Sequence, residues 1–214
     1  ALLAVEQIVN QAAKASYVCG LRMPIVIRLI VGRGWGQGPQ HSQSLHSWFA
    51  HIPGLKVIMP VTPHDAKGML ISAVKDNNPV IIFEHRWLHS IRGEVPQGMY
   101  EVPIGKARLV KKGHDITLVA MSHMVVEAVR AANWMEDQGI SVEIIDVRSL
   151  KPLDQETLLN SVRRTGRLVV ADTAWKSAGF SGEIISLIAE KAFESLQAPP
   201  RRVTYPDVPT PASP

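Results

Sequence analysis

Cysteine is nearly missing from this chain of 214 residues, which contains only Cys19. A single cysteine cannot form an internal disulfide, and this suits a reducing compartment. Because Cys19 lies in an apolar stretch, we expect a buried thiol with a packing role rather than a nucleophile. The sequence also has no cysteine cluster and no H-E-x-x-H spacing, so the usual signatures of a zinc site are absent.

Long hydrophobic runs are absent as well. The longest run, MPIVIRLIV, is interrupted by Arg28 and is too short to span a bilayer. No signal peptide is visible. We therefore expect no membrane partner.

Clusters of positive charge are missing although the net charge is +4 and the isoelectric point is about 9.3. The basic residues include isolated pairs such as Lys111–Lys112, Arg163–Arg164 and Arg201–Arg202, and no stripe of them is interleaved with aromatic residues. This pattern favours a solvated basic surface over a nucleic-acid-binding one.

The standard phosphate loops are also lacking, but a different glycine-rich loop is present. Residues 32–44, GRGWGQGPQHSQS, carry a glycine at every second position and then His41. The spacing matches neither G-x-G-x-x-G nor a P-loop, so a turn that admits a ligand or another backbone is favoured over a phosphate cradle. His41 follows a predicted parallel strand, at the kind of place where α/β sheets bind ligands, and is our candidate functional residue.

The other histidines that we assign have structural interpretations. His114 is predicted at the surface, His123 as a helix cap and His64 inside a capping turn, while His46 and His51 flank the aromatic stretch SWFA in the predicted core.

Paired carboxylates for acid–base chemistry are not evident in the sequence. Glu84 ends a predicted strand, where it either lines a cleft or pairs with Arg86. The pair is the favoured interpretation.

Hydrophobic periodicity predicts an α/β fold with two parallel-sheet domains. A helix is expected almost at the start, from Val5, and another begins at Thr62 with Pro63 at its first position and Asp65 completing a capping box. The remaining predicted helices cover 123–138, 154–164 and 182–196. The predicted strands are 24–31, 54–60, 80–84, 116–121, 142–147, 167–172 and 201–204.

A segment rich in proline and glycine separates two regions in which predicted strands alternate with predicted helices. We therefore predict one domain at 1–91, a linker at 92–107 and a second domain at 108–214. The first residue is not Met and the last residues are VPTPASP, so we expect a piece of a longer polypeptide.

Several stretches resemble the beta subunit of the thiamine-diphosphate-dependent first component of 2-oxoacid dehydrogenase complexes. They are QHSQSLHSWFAHIPGLKVIMPVTPHDAKGML and DNNPVIIFEH in the first half. In the second half, VEIIDVRSLKPLD, TGRLVVADTAW, GFSGEI and RVTYPDVPTP resemble the C-terminal domain of the transketolase superfamily. The resemblance covers nearly the whole chain.

The resemblance implies a partial pyrimidine-binding domain followed by a transketolase C-terminal domain. It implies oxidative decarboxylation of a small 2-oxoacid and acyl transfer to lipoamide in an α2β2 enzyme, with a lipoyl-bearing acyltransferase as a further partner. His41 matches the family histidine that faces thiamine diphosphate and assists acyl transfer. The alpha subunit would hold the diphosphate and Mg through a G-D-G motif, which this sequence lacks. The expected location is the cytoplasm, or the mitochondrial matrix in a eukaryote.

A monovalent cation, potassium, is also implied. Its expected site is made of carbonyl oxygens near the end of the helix that begins at Thr62. The residues are Ile25, Ala73, Val74, Asp76 and Asn78.

The sequence departs from the family at several points. The cofactor-activating glutamate and the aromatic residue that stacks on the pyrimidine would both precede Ala1, and the usual last helix is missing. The loop IRLIVGRGWGQG also differs from the commoner R-x-P-x-G forms, which leaves the 2-oxoacid open.

Two other functions stay open. The chain could be half of a transketolase or deoxyxylulose-phosphate synthase, with Arg33 and Arg86 available for a sugar phosphate. It could also be an inert domain pair that only dimerises or docks a partner. Whether the chain alone is an enzyme is left open by its residues, and we expect it to be inactive without its partner.

Overall fold

The computed structural model of the protein describes residues 2–33 and 36–211. Two sheets, each flanked by helices, make up this part of the chain. The α-helices are α1 (Ala15–Cys19), α2 (Gly38–His41), α3 (His46–His51), α4 (Pro63–Lys75), α5 (Met124–Glu136), α6 (Gln155–Thr165) and α7 (Phe180–Lys191). The strands are β1 (Val26–Val31), β2 (Lys56–Ile58), β3 (Val80–His85), β4 (Arg108–Lys111), β5 (Ile116–Ala120), β6 (Val142–Asp146), β7 (Ser149–Lys151), β8 (Leu168–Trp175) and β9 (Arg201–Tyr205).

The first sheet has the strand order β1-β3-β2-β7. Strands β1, β3 and β2 are parallel, in the β-α-β arrangement predicted around α4. The edge strand β7 comes from the second half of the chain and pairs antiparallel with β2. The sequence did not predict β7, because a strand of three residues carries no clear periodicity.

The second sheet has the order β4-β6-β5-β8-β9. Strands β6, β5, β8 and β9 are parallel, and β4 is an antiparallel edge strand that the sequence analysis missed. The prediction of an α/β fold with two largely parallel sheets is confirmed.

The first residues differ from the predicted single helix. A 3₁₀ turn at Leu2–Ala4 and a π-helical segment at Gln7–Ala12 precede the short α1, which is capped at its end by Gly20. The prediction of a buried Cys19 was wrong, since this thiol is exposed. Its neighbours Tyr17 and Val18 are exposed too, so the apolar character of this stretch reflects an uncovered surface rather than the core.

Helix caps explain where several helices begin. The N–H of Asp65 donates to Thr62 Oγ1 at 3.1 Å, as predicted, with Pro63 at the first helical position. The Asp65 carboxylate, however, accepts a hydrogen bond from Arg148 of the second half at 2.9 Å. In α6, Asp154 caps the first turn and Gly166 ends the helix in the left-handed conformation.

The largest hydrophobic cluster joins the two halves of the chain. Phe83 and Met59 of the first sheet region pack in the same cluster as Val119 and Ile145 of the second sheet. Each such side chain contributes roughly 1.5–3 kcal/mol when it is fully buried. The two sheets therefore share one core, and this core fixes the strand ends of one sheet relative to those of the other.

A buried group of charges lies between the same halves. Arg148 Nη1 donates to Asp65 Oδ1 at 2.9 Å, and the N–H of Arg148 donates to Asp146 Oδ1 at 3.1 Å. Arg108 Nη1 lies 3.7 Å from Asp65, and its Nε lies 3.9 Å from Asp146. Both aspartates are almost completely buried, so the two arginines rather than water are their polar neighbours.

Between Leu88 and Arg108 the chain forms no helix or strand. This segment runs along α4, where Ser72 Oγ donates to the carbonyl of Val102 at 2.7 Å and Lys67 Nζ to that of Pro96 at 2.7 Å. Among the helices of residues 2–33 and 36–211, none is both long and apolar enough to cross a bilayer.

Candidate functional site

The carboxyl ends of the parallel strands of both sheets meet in one region. In the first sheet, Gly32 follows β1 and His85 is the last residue of β3. In the second sheet, His123 lies beyond the end of β5, and Asp172 lies in β8 just beyond the residue that pairs with the end of β5. The rings of His85 and His123 stack with centroids 5.0 Å apart and an interplanar angle of 21°. Ligands bind at such strand ends in α/β proteins, so this region is the candidate site.

Arg86 braces the glycine-rich loop from within. Its guanidinium donates to the carbonyl of Gly32 at 2.6 Å, to that of His41 at 2.5 Å and to Gln37 Oε1 at 2.6 Å. These acceptors lie at the start, middle and end of the loop. Because Arg86 is itself buried, it fixes the loop against the end of β3.

His41 is the last residue of α2, and its side chain is exposed. Only its backbone carbonyl takes part in the contact with Arg86. The next residue, Ser42, is buried and donates its hydroxyl to the carbonyl of Gly38 at 2.8 Å. Hydrogen bonds therefore fix the loop backbone around His41, while the His41 side chain is exposed to solvent.

The glycines of the loop have different structural reasons. A Cβ on Gly32, whose φ is +85°, would lie only 2.0 Å from His85 Nε2, so this position allows no side chain. Gly36 has a φ of +62° and open space around it. Gly34 and Trp35 of the predicted loop lie outside the described residues. The group that approaches Gly32 is the His85 side chain rather than a ligand or another backbone, so the prediction of a turn that admits one of these stays a prediction.

His46 and Asp172 form a buried contact between the halves of the chain. His46 Nε2 lies 3.0 Å from Asp172 Oδ1, and both side chains are fully shielded from solvent. Asp172 also accepts the N–H groups of Ala174 and Ser181. Burial alone would raise the pKa of Asp172, but His46 and these donors hold it below its ordinary value. His46 was predicted in the core, and it anchors α3 to β8 there.

A cleft of about 400 Å³ opens beside the stacked histidines. Its lining comes from both halves and includes Arg33, Trp87, His123, Thr173 and Tyr205. Burial, together with the positive charge of neighbouring groups, lowers the pKa of His85 to about 3, so this imidazole is neutral near pH 7. Its Nδ1 accepts the N–H of Trp87 at 3.2 Å, which fits a neutral ring.

His123 occupies the N-cap position of α5, as predicted, but its side chain makes no capping hydrogen bond. Its ring instead stacks on His85 and meets Trp87 edge-on with centroids 4.9 Å apart. Burial lowers the pKa of His123 by more than the nearby Glu127 carboxylate raises it.

The favoured pairing of Glu84 with Arg86 was also wrong. Glu84 accepts two hydrogen bonds from Arg28 of the adjacent strand β1, at 2.6 and 2.9 Å. Arg86 lies beyond the end of β3, where it reaches the glycine-rich loop. His114 is at the surface beside Asp115, as predicted.

The residues predicted to hold a cation lie near the amino-terminal ends of β1 and β3, whereas the loop with His41 follows the carboxyl end of β1. Ile25 precedes β1, and its carbonyl accepts the N–H of Val80 at 2.9 Å. Ala73 and Val74 lie in the last turn of α4, and Asp76 caps its end. Asp76 is paired with Lys56 Nζ and accepts two hydrogen bonds from Asn78. Burial would raise the pKa of Asp76, but these partners lower it below its ordinary value.

Sequence reasoning missed the contacts of Arg86 with the loop, the His46–Asp172 contact and the histidine stack. Each of these contacts joins residues that are far apart in the chain, and no local spacing predicts such a contact. The only available signal was that HRWLH directly follows a predicted strand, where functional side chains concentrate. In the described part of the chain, no group of three or more His, Cys, Asp or Glu side chains is placed to hold a metal ion.

Comparison with known proteins gives two matching family profiles. The profile described as transketolase, pyrimidine binding domain matches residues 4–90, and the one described as transketolase, C-terminal domain matches residues 105–214.

Curated relatives are beta subunits of two kinds. Acetoin:2,6-dichlorophenolindophenol oxidoreductase subunit beta from Cupriavidus necator is 46% identical over 211 residues, which cover 98% of this chain and 62% of that protein. Pyruvate dehydrogenase E1 component subunit beta from Acholeplasma laidlawii is 46% identical over 190 residues, covering 88% of this chain and 58% of the relative.

A solved structure described as split gene transketolase, inactive beta4 tetramer, superposes with a TM-score of 0.77 at 26% identity. The superposition covers 96% of this chain and 63% of the chain in the solved structure. The chain thus spans 58–63% of the length of these three proteins. The comparisons confirm the resemblance and the fold class predicted from the sequence.

Proposed function

This chain belongs to the transketolase family, and we propose that it acts within the beta subunit of a thiamine-diphosphate-dependent 2-oxoacid dehydrogenase. The observation that carries the proposal is the placement of His41, an exposed imidazole at the end of a glycine-rich loop that Arg86 braces. The curated relatives support it, since both kinds are beta subunits of oxidoreductases or dehydrogenases.

The proposed reaction is the oxidative decarboxylation of a small 2-oxoacid, followed by acyl transfer to the lipoyl group of an acyltransferase. Thiamine diphosphate supplies the electron sink for this chemistry when it is bound. His41 would give or take a proton during acyl transfer, a role for which the imidazole side chain is commonly used. Arg86 would keep the backbone of His41 in place while this happens.

The described residues fit only part of the cofactor. His41 offers an exposed imidazole as a proton-transfer group, which suits the reactive end. No Asp or Glu occurs between Gly32 and Ser44, and the sequence has no G-D-G motif. As the resemblance implies, we assign the diphosphate and Mg to an alpha subunit, and the assembly to an α2β2 tetramer. Within this chain we assign the pyrimidine-binding part to 1–91, the linker to 92–107 and the C-terminal domain to 108–214.

A second function has one specific observation in its favour. The similarity to a split-gene transketolase supports a subunit that acts on sugar phosphates, and the same title names an inactive tetramer of beta chains. The inactive tetramer in that title also supports the alternative of an inert docking or dimerisation role.

Titration with thiamine diphosphate separates these functions. We expect the chain to bind the cofactor only together with an alpha subunit of the acetoin or pyruvate type, because this chain lacks G-D-G. Calorimetry with the chain alone, with each alpha subunit and with the mixture plus Mg measures this. Binding by the chain alone would contradict the division between subunits, and no binding in any mixture would favour the inert alternative.

A monovalent cation is the second expected ligand. We expect rubidium to bind at the end of α4, among the carbonyls of Ile25, Ala73 and Val74 and the residues Asp76 and Asn78. Lys56 already neutralises Asp76, so the carbonyl oxygens would supply most of the attraction. Anomalous scattering from rubidium-soaked crystals should give a peak there. Caesium and sodium soaks are the size controls, and a helix end without a peak would contradict the site.

A further inference from the structure

Arg33 is a charged side chain whose role in the fold is not explained by its contacts. Its guanidinium carbon lies 4.9 Å from the centre of the Trp87 ring, a cation–π distance. Within residues 2–33 and 36–211, its Nε is buried without a hydrogen-bond partner, and no carboxylate lies within 4 Å. Arg33 lines the 400 Å³ cleft, so its charge faces a space large enough for a small molecule.

The carboxylates that line the same cleft are already paired. Glu127 accepts a hydrogen bond from Arg130 at 2.8 Å and lies 3.7 Å from His123 Nε2. Asp172 is occupied by His46 and by two backbone N–H groups. Among the described residues that line the cleft, Arg33 is therefore the charged group that lacks a partner of opposite charge. These residues give the cleft one unpaired positive charge.

A second polar group of the cleft also lacks a partner in the described structure. Thr173 is only 6% exposed, and its Oγ1 makes no hydrogen bond there. A buried hydroxyl without a partner costs about 1–3 kcal/mol, and a ligand atom that accepts from it would remove this cost. The other walls include Trp87, Met124 and Val203, which suit a small apolar group.

The electrostatic effect of Arg33 on the neighbouring histidines agrees with an unpaired positive charge in the cleft. The charges of Arg33 and Arg86 both contribute to the low pKa of His85, after burial and His123. Arg33 also acts against protonation of His123. A negative ligand beside Arg33 would oppose this field, and the pKa of His123 would then rise.

We propose that this cleft binds the carboxylate of a small organic acid, with Arg33 as its ion-pair partner and the Thr173 hydroxyl as a hydrogen-bond donor. A singly charged carboxylate matches the single unpaired charge, whereas a phosphate dianion would require a second one. The inference goes beyond the proposed function, because neither His41 nor a cofactor takes part in it.

Propionate is a suitable probe, since it carries a carboxylate and a small apolar group but no keto group. NMR titration of the histidine side chains in the 214-residue chain, without thiamine diphosphate, follows the site directly. We expect saturable binding and a higher pKa of His123 in the complex. Propionamide, the neutral isostere, should bind much more weakly, and inorganic phosphate should not bind better than propionate.

Substitutions locate the binding site. Arg33→Gln should weaken propionate binding roughly tenfold or more, and Thr173→Val about 2- to 10-fold. Arg28→Gln is the matched control, because Arg28 is paired with Glu84 at the outer edge of the sheet, and it should bind like wild type.

Three results would each overturn the proposal. They are a wild-type chain that shows no saturable binding up to about 50 mM propionate, a propionamide affinity equal to that of propionate, and unchanged binding in Arg33→Gln. The wild-type titration decides the matter even if a variant folds poorly, which circular dichroism would reveal.

Discussion

In the proposed α2β2 enzyme, His41→Ala should slow acyl transfer to a lipoyl domain by roughly 100- to 10,000-fold, which is the usual loss when a positioned proton-transfer group is removed. Decarboxylation measured with an artificial electron acceptor should lose much less, because it depends chiefly on the cofactor. The two assays on the same variant give the ratio that tests the role.

The structure makes this substitution a clean test. The contact between Arg86 and residue 41 uses the backbone carbonyl, which alanine keeps. The hydrogen bond from Ser42 to Gly38 does not involve the imidazole either. A purely structural role for the side chain would therefore predict little effect on either assay.

His114→Ala is the matched control, since His114 is 76% exposed at its side chain and far along the chain from the loop. It should leave both rates unchanged. Equal losses of both activities in His41→Ala would remove the acyl-transfer role. Substituting Arg86 would not serve the same purpose, because it would release Gly32, Gln37 and His41 together.

The elements of the fold that could be predicted are those with strong local signals. Strand β3 is a continuous apolar run, and α4 begins with Thr62, Pro63 and Asp65, so both were identified from their own residues. Strand β7 is only three residues long and exists because β2 offers it an edge. Its position depends on a contact between residues about 90 apart, and no local pattern encodes such a contact.

The candidate site divides in the same way. His41 was identifiable because it follows a strand and a run of glycines. Arg86 was assigned to Glu84, its neighbour in sequence, but Arg28 on the adjacent strand is closer to that carboxylate in the folded chain. Cys19 was expected in the core because its neighbours are apolar, yet α1 lies on the surface. Pairing and burial are tertiary properties, so sequence-local reasoning failed at these residues.

The buried charges between the two halves have a consequence for stability. Burial raises the pKa of Asp146 to about 7, because the attraction of Arg108 is too weak to offset it and the charge of Asp65 opposes ionisation as well. In the unfolded chain an aspartate has a pKa of about 3.9. Between these two values the folded state keeps a proton that the unfolded state releases. Asp146 therefore favours folding at low pH, and its ionisation costs stability as the pH rises towards 7.

Asp146→Asn should remove this pH dependence. Asparagine cannot ionise, and its Oδ1 can still accept the N–H of Arg148. The free energy of unfolding of the variant, relative to wild type, should increase between pH 4 and pH 8 by up to roughly 4 kcal/mol, since each pH unit in the window is worth at most about 1.4 kcal/mol. His85 acts in the opposite direction over part of this window, because its pKa is lowered, but it is present in both proteins and cancels in the difference. Urea denaturation at several pH values measures the two curves. Asp137→Asn, at the exposed end of α5, is the control for the chemical change and should run parallel to wild type. If Asp146→Asn also ran parallel to wild type, Asp146 would have to be ionised in the folded protein throughout this range, held by Arg108 and Arg148.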